Sequence, residues 1–314
     1  MPYAIVSTDL KRVGMRAKHI GCFLISMFLL EGIIRAQESY EIDSLISEFY
    51  NNFVSKESNK EVKENIERLL ERYQENPYLY NFWASVEWIL MGRELGLKLN
   101  ETKNISKDSA YTKRIAIYER MIEKGLLESA KLSDEEKSLS KAALLFEKSK
   151  LQYRFFEDIK SADKTSAAVI QILENTSSCH KYFFLGSIRF SLSNQSKAKQ
   201  LAIYFLSDSY EELYKLDSDV FNKEKSIEWL KRAYECGYSA VKHKNIWIET
   251  AFILINAYAN YRRGLSLDNE LVIIKKEMAI SHALALMFPQ NEDLLYLHKY
   301  NGVRQKVLEN YLKK

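Results

Sequence analysis

Residues 73–88 read YQENPYLYNFWASVEW, and the proline inside this stretch decides how the chain is to be divided. Pro77 is one of only three prolines in 314 residues. It lacks an N–H and its φ is fixed, so it ends the helix before it and suits the first position of the next, with Asn76 as N-cap. Beyond it, Tyr80, Trp83, Ala84, Glu87, Trp88 and Met91 fall on one helical face, while Leu79, Phe82, Val86 and Leu90 fall on another. A helix that is apolar on two faces must be covered on both. The aromatic crowd therefore reads as core inside a stack of helices.

The chain on either side keeps the same period. Ile42, Leu45, Ile46, Phe49, Tyr50 and Phe53 recur at offsets of three and four, as do Val62, Ile66, Leu69, Leu70 and Tyr73. Ser58 to Glu61 and Ser133 to Glu136 read as capping boxes, and Asp108 and Asp163 as further caps. Later helices are predicted from about Ser178, Gln195, Asn222, Lys244, Asp268 and Asn291, and Leu97 to Lys107 as a loop. Ten glycines and three prolines are too few for the tight corners of an all-β fold. The expectation is an all-α solenoid of antiparallel helix pairs, with eleven or twelve helices after residue 36.

Met15 opens a segment built like a secretory leader. Arg16 and Lys18 supply positive charge, Ile20 to Leu30 an apolar core too short to span a bilayer comfortably, and Ala36 a small residue before a cleavage point at Gln37. Residues 1–36 are thus expected to be a cleaved leader, with translation starting at Met1 or Met15. An uncleaved inner-membrane anchor and a core helix are the alternatives. Two further regions, 37–175 and 176–314, are expected to hold the helical repeats. Removal of residues 1–36 leaves 41 basic and 40 acidic residues, with no dense basic run of the kind that nucleic-acid binding needs. Export to a periplasmic or extracellular space would put Cys179 and Cys236 where they can pair; two buried thiols are the alternative.

Several helix pairs carry fragments of a repeat pattern. Tyr182 to Gly186 is followed by Ala198, SIEWLKRAYECG places Ser226, Leu230 and Ala233 at small, large, small spacing, and ALALMFPQN ends in a turn at Pro289. These fragments resemble the tetratricopeptide repeat, whose small residues let two antiparallel helices approach. The Ser226 and Ala279 landmarks lie 53 residues apart, against about 34 in that family. The resemblance covers residues 178–300 best, and implies a scaffold that holds a protein or peptide partner on a concave surface.

No metal-ligand cluster, phosphate loop or nucleophile elbow is legible, so neither a metal, a cofactor nor an enzyme activity is expected. His282 falls on the stripe of Leu271, Ile274 and Met278 and reads as a core histidine. Glu87, beside Trp88, needs a partner if buried, for which Arg114 and Arg189 are candidates. Tyr261 and Arg262, read as exposed, complete the candidate binding residues. The competing function is a small-molecule-binding helical protein serving a periplasmic-binding-protein-dependent transporter, which would need an apolar cavity with Glu87 or an arginine turned inward.

Overall fold

The computed structural model describes residues 37–52, 56–97, 101–174, 176, 180–193, 213, 222–237 and 244–313. Contacts divide the chain into Met1–Leu45 and Ile46–Lys314. In the first unit residues 37–45 are helical. The second unit begins with α1, residues 46–51. It continues with α2 (Lys56–Arg72), α3 (Pro77–Glu94), α4 (Ser109–Ser129), α5 (Asp134–Phe155), α6 (Ile159–Glu174), α7 (His180–Ser193), α8 (Lys223–Glu235), α9 (Lys244–Tyr261), α10 (Leu267–Met287) and α11 (Glu292–Leu312). No strand occurs among the described residues. From α2 onward each helix packs on the next, α3 also packs on α5, and α7 on α9. The fold is an all-α helical solenoid.

The starting signals lie where the punctuation puts them. Asn76 Oδ1 accepts from Tyr78 N at 2.8 Å with Pro77 in the first turn, and α3 is then buried without interruption from Leu79 to Trp88. Each fully buried Leu, Phe or Val on it contributes about 1.5–3 kcal/mol of transfer free energy. Asp108, Asn222 and Asn291 cap α4, α8 and α11 through their side chains. Four local expectations are corrected. α2 is already helical at Lys56, so Ser58 lies inside it and cannot be its N-cap. Ser133 occupies the N-cap position, but its hydroxyl donates to Glu136 Oε2 at 3.3 Å and makes no cap bond to the backbone. Asp163 sits within α6, buried, and accepts from Leu213 N at 3.2 Å, while Asp158 receives the Ser161 amide. His282 is exposed, with its ring 5.1 Å from that of His298, because α10 turns Ser281 and Leu284 to the core instead. The helix predicted near Gln195 lies outside the described residues.

The 97–107 loop is held against α5 by Lys103 N and Ile105 N, which donate to the carbonyls of Arg154 and Phe155, both at 2.8 Å. Two glycines permit close helix approach. A Cβ on Gly186 would lie 2.7 Å from Leu230 Cγ and 2.9 Å from Leu230 N, and one on Gly125 would lie 2.8 Å from Tyr80 Cβ. α7 therefore pairs with α8, and Ser226 Oγ donates to Gly186 O at 3.0 Å across that seam. The unit also closes on itself. Tyr50 stacks on Phe252 with centroids 5.8 Å apart, Asn291 Nδ2 donates to Tyr50 O at 2.6 Å, and Asn245 Nδ2 donates to Asn81 Oδ1 at 3.1 Å.

Candidate functional site

Because α3 and α9 meet, the space between alternate helices becomes a cavity of about 310 Å³. Its described lining comes from α1, α3, α5, α7 and α9 alone: Tyr50, then Trp88 and Ile89, then Phe146, Lys150, Tyr153 and Arg154, then Ser187, Phe190 and Ser191, then Glu249, Phe252, Ile253 and Asn256. Phenylalanines 146, 190 and 252 with Ile253 make most of the wall apolar. A smaller adjoining space of about 90 Å³ shares Phe146, Lys150 and Ser187 with it.

One row of α3 reaches the cavity wall through Trp88. Asn81, Ser85, Trp88 and Gly92 are spaced four, three and four residues apart, so they share a face. Trp88 presents its ring to α5, where Lys150 Nζ lies 4.7 Å and Arg154 Cζ 4.2 Å from the ring centroid. Cations so close to an indole are held by its quadrupole, more strongly when desolvated. One turn later Gly92 leaves room for the guanidinium; a Cβ there would stand 2.5 Å from Arg154 Nη1. Arg154 Nη2 donates to Leu97 O at 3.1 Å, and burial lowers its pKa to about 10, which leaves it cationic at neutral pH.

Beneath Trp88 lies Ser85, whose hydroxyl is 2.9 Å from Glu147 Oε1 and 2.7 Å from Glu249 Oε1. Lys150 Nζ is 2.7 Å from Glu147 and 3.8 Å from Glu249. Tyr118 OH approaches Glu147 Oε2 at 3.2 Å. Burial pushes the Glu147 carboxyl up, with Lys150 pulling it down and Glu249 adding to the rise. The Tyr118 hydroxyl is held well above the usual phenol range by burial and by Glu147. Two wall residues also carry polar atoms with no hydrogen-bond partner. They are Trp88 Nε1 and Ser187 Oγ, on side chains that are 9 % and 6 % exposed.

Of the residues singled out in the sequence, the structure brings Trp88 to this cavity. Glu87, fully buried on another face of α3, is ion-paired with Arg114 and with Lys63 Nζ at 2.9 Å; Arg114 reaches Glu94 as well. Arg189 is buried on α7 with its guanidinium 5.9 Å from the Trp229 ring. Tyr261 OH donates to Glu224 Oε1 at 2.8 Å. Arg262, read as exposed, is largely buried and bridges Glu270 at 3.2 Å and Glu277 at 2.9 Å. Ala36 and Cys179 lie outside the described residues, and Gln37 Nε2 donates to Glu41 at 3.0 Å. Cys236 is disulfide-bonded; the chain's other cysteines, Cys22 and Cys179, are both outside the described residues.

Sequence reasoning missed Asn81, Ser85, Gly92, Lys150, Arg154 and Glu249. The signal was a third stripe on α3, made of small and polar residues between the two apolar ones, and a Phe146, Lys150, Arg154 row at four-residue steps on α5. No cluster of three or more metal-ligating side chains occurs among the described residues, and none of their helices is long and apolar enough to cross a membrane. Compared with known proteins, the chain matches no family model, no curated protein and no solved structure.

Proposed function

We propose that this chain is an exported, tetratricopeptide-like helical protein that binds a small, mainly apolar molecule in the cavity between α3, α5, α7 and α9. The observation that carries the reading is the cavity itself. It has the volume of a small-molecule site, an apolar wall, and a few polar groups converging from separate helices. The resemblance at Gly186, Ser226, Leu230 and Ala233 supports the repeat assignment, since these residues form the close seam between α7 and α8. The disulfide at Cys236 supports an oxidising compartment and a leader in residues 1–36. Service to a transporter fits a protein that binds and releases without chemistry.

The test is titration with N-phenyl-1-naphthylamine, a neutral dye that fluoresces in apolar surroundings. Saturable binding at one site is expected. Ile253→Trp, which places an indole in the cavity, should weaken binding at least tenfold while the melting temperature holds. Dye binding that is unchanged in Ile253→Trp would remove the reading.

A protein partner is a second reading, favoured by α11. Tyr296, Tyr300, Val303, Val307 and Tyr311 form an exposed stripe at offsets of three and four, and Lys299, Lys306 and Lys313 run beside it one heptad apart. A helix bearing leucines toward the stripe and glutamates toward the lysines would complement both. A synthetic acidic amphipathic helix should bind the wild type and lose at least about tenfold in affinity to Val303→Asp. Equal binding by the two proteins rules this reading out.

A further inference from the structure

We propose that the seam between α10 and α11 carries a second site, in which His282 and His298 together bind one late first-row divalent cation of the Zn²⁺ and Cu²⁺ class. None of the cavity-lining residues belongs to these helices, so the site stands or falls independently of the cavity reading.

The two histidines come from successive helices that pack on each other, and their positions are therefore set by regular backbone and not by a loop. His282 is exposed and His298 half-buried, which leaves the pair open to an ion from solution. Their ring centroids are 5.1 Å apart, with planes inclined by 34°. Two imidazoles that share one cation, each with its nitrogen about 2.0–2.1 Å from the metal and at about 90–110° to one another, have centroids about 4.5–5.2 Å apart. The pair already stands at the separation that a common cation sets.

Ser281 decides which nitrogen of His298 is free. Its hydroxyl is fully buried and donates its single proton to Met278 O at 3.2 Å. Only a lone pair is left to face His298 Nδ1, 3.4 Å away, so Nδ1 carries the proton and Nε2 keeps its lone pair. The two nitrogens of an imidazole point in nearly opposite directions, and Nε2 is accordingly turned away from the buried serine. A ligating histidine is oriented in this way, by a hydrogen bond from its other N–H. His282 has no such restraint from burial, and its ring can turn either nitrogen to the same ion.

The surroundings suit a cation. No position three or four residues from either histidine on its own helix is charged, so no lysine or arginine repels an ion along that row. Neutral imidazole nitrogen selects Zn²⁺, Cu²⁺ and their neighbours over Mg²⁺ and Ca²⁺, which take oxygen. Water or another small donor completes the coordination, and the ion ties the last helix of the solenoid to the one before it. Sequence spacing conceals the pair, because its members are on different helices and not at i, i+4 of one.

The experiment is equilibrium dialysis of the full chain at pH 7 against about 10 μM free Cu²⁺, with Zn²⁺ and Ca²⁺ as competitors. The double variant His282→Ala/His298→Gln should bind one Cu²⁺ fewer than the wild type, and the ion lost should show two coordinating nitrogens in its electron paramagnetic resonance spectrum. His282→Ala alone should weaken that ion by at least about tenfold. Zn²⁺ should displace it at higher concentration than Cu²⁺ requires, and Ca²⁺ should not displace it at all. Equal Cu²⁺ uptake by the wild type and His282→Ala overturns the proposal, because any bound copper then sits elsewhere on the chain. Displacement by Ca²⁺ as readily as by Zn²⁺ overturns it too, since the ligands are then oxygens. His282 is exposed and its replacement does not disturb the core, so a double variant that folds poorly leaves the single one to decide.

Discussion

Two polar residues two positions apart on α3 have opposite surroundings. Glu87 is one carboxylate among two cations, Arg114 and Lys63, with Trp83 packed on the same side and Lys63 5.3 Å from its ring centroid. It lines neither of the two cavities described above. Ser85 is one hydroxyl between two carboxyls, Glu147 and Glu249, and Glu249 lines the cavity together with Lys150 and Arg154. The first cluster lies off the walls of both cavities, and the second reaches the larger one through Lys150 and Glu249. Buried charge that is answered by neighbours serves the fold, while polar groups on the wall of a cavity are where a ligand can be recognised.

The strongest way to break this contrast is to remove Arg114. Arg114→Met leaves the wholly buried Glu87 carboxylate with Lys63 alone, and stability to urea should fall by about 3 kcal/mol, the cost of an uncompensated buried charge. Dye affinity of the folded protein should not change, because the pair faces α2 and α4 and not the cavity. Retained stability together with lost dye binding would invert the two assignments.

The Glu277 cluster lies between these extremes and sharpens the comparison through pH. Glu277 is fully buried on α10 against Arg262 Nε at 2.9 Å and Asn301 Nδ2 at 3.1 Å. Burial raises its pKa to about 7 against the pull of Arg262. A carboxyl raised above its unfolded value binds its proton more tightly when folded, so its favourable contribution is complete below about pH 4.3 and is lost as pH rises through 7. Glu277→Gln removes that titration. The variant should gain about 2 kcal/mol relative to the wild type between pH 5 and pH 8, after allowance for relaxation around the charge. Parallel pH profiles of urea stability would show that Glu277 is fully paired by Arg262 and Asn301.

Much of the fold was legible because its signals are local. Asn76 with Pro77, Asp108, Asn222 and Asn291 each satisfy an amide two or three residues away, so sequence alone places the helix starts they mark. Asp163 was misread because its partner, Leu213 N, is 50 residues distant. The repeat period was hidden for a similar reason. α7 packs on α8, yet residues 194–222 separate them, so the Leu185, Gly186 and Ser226, Leu230 landmarks belong to one seam without the expected spacing. At the site, Trp88 stood out by its size. Ser85 and Glu249 did not, since a serine on an apolar helix is ordinary until a glutamate 164 residues later is folded against it.

The smallest effects come from two glycines that separate the sealed side of α3 from its open side. Gly125 lies where α4 crosses α3 and α5, and an added Cβ would stand 2.8 Å from Tyr80 Cβ and 2.9 Å from both Leu144 methyls. These atoms belong to packed side chains with no free volume to retreat into, so Gly125→Ala should cost about 1–2 kcal/mol through overpacking and leave the cavity untouched. Gly92→Ala places its methyl against the end of a long side chain, Arg154, which has the cavity beside it. The guanidinium can swing away from Trp88, and alanine suits a helix better than glycine, so the net stability change should stay below about 1 kcal/mol. The displaced guanidinium then enters the cavity, and N-phenyl-1-naphthylamine should bind more weakly to Gly92→Ala than to the wild type. Equal losses in stability at the two glycines would mean that Arg154 is as firmly seated as Leu144, and that the open side of α3 is as closed as the other.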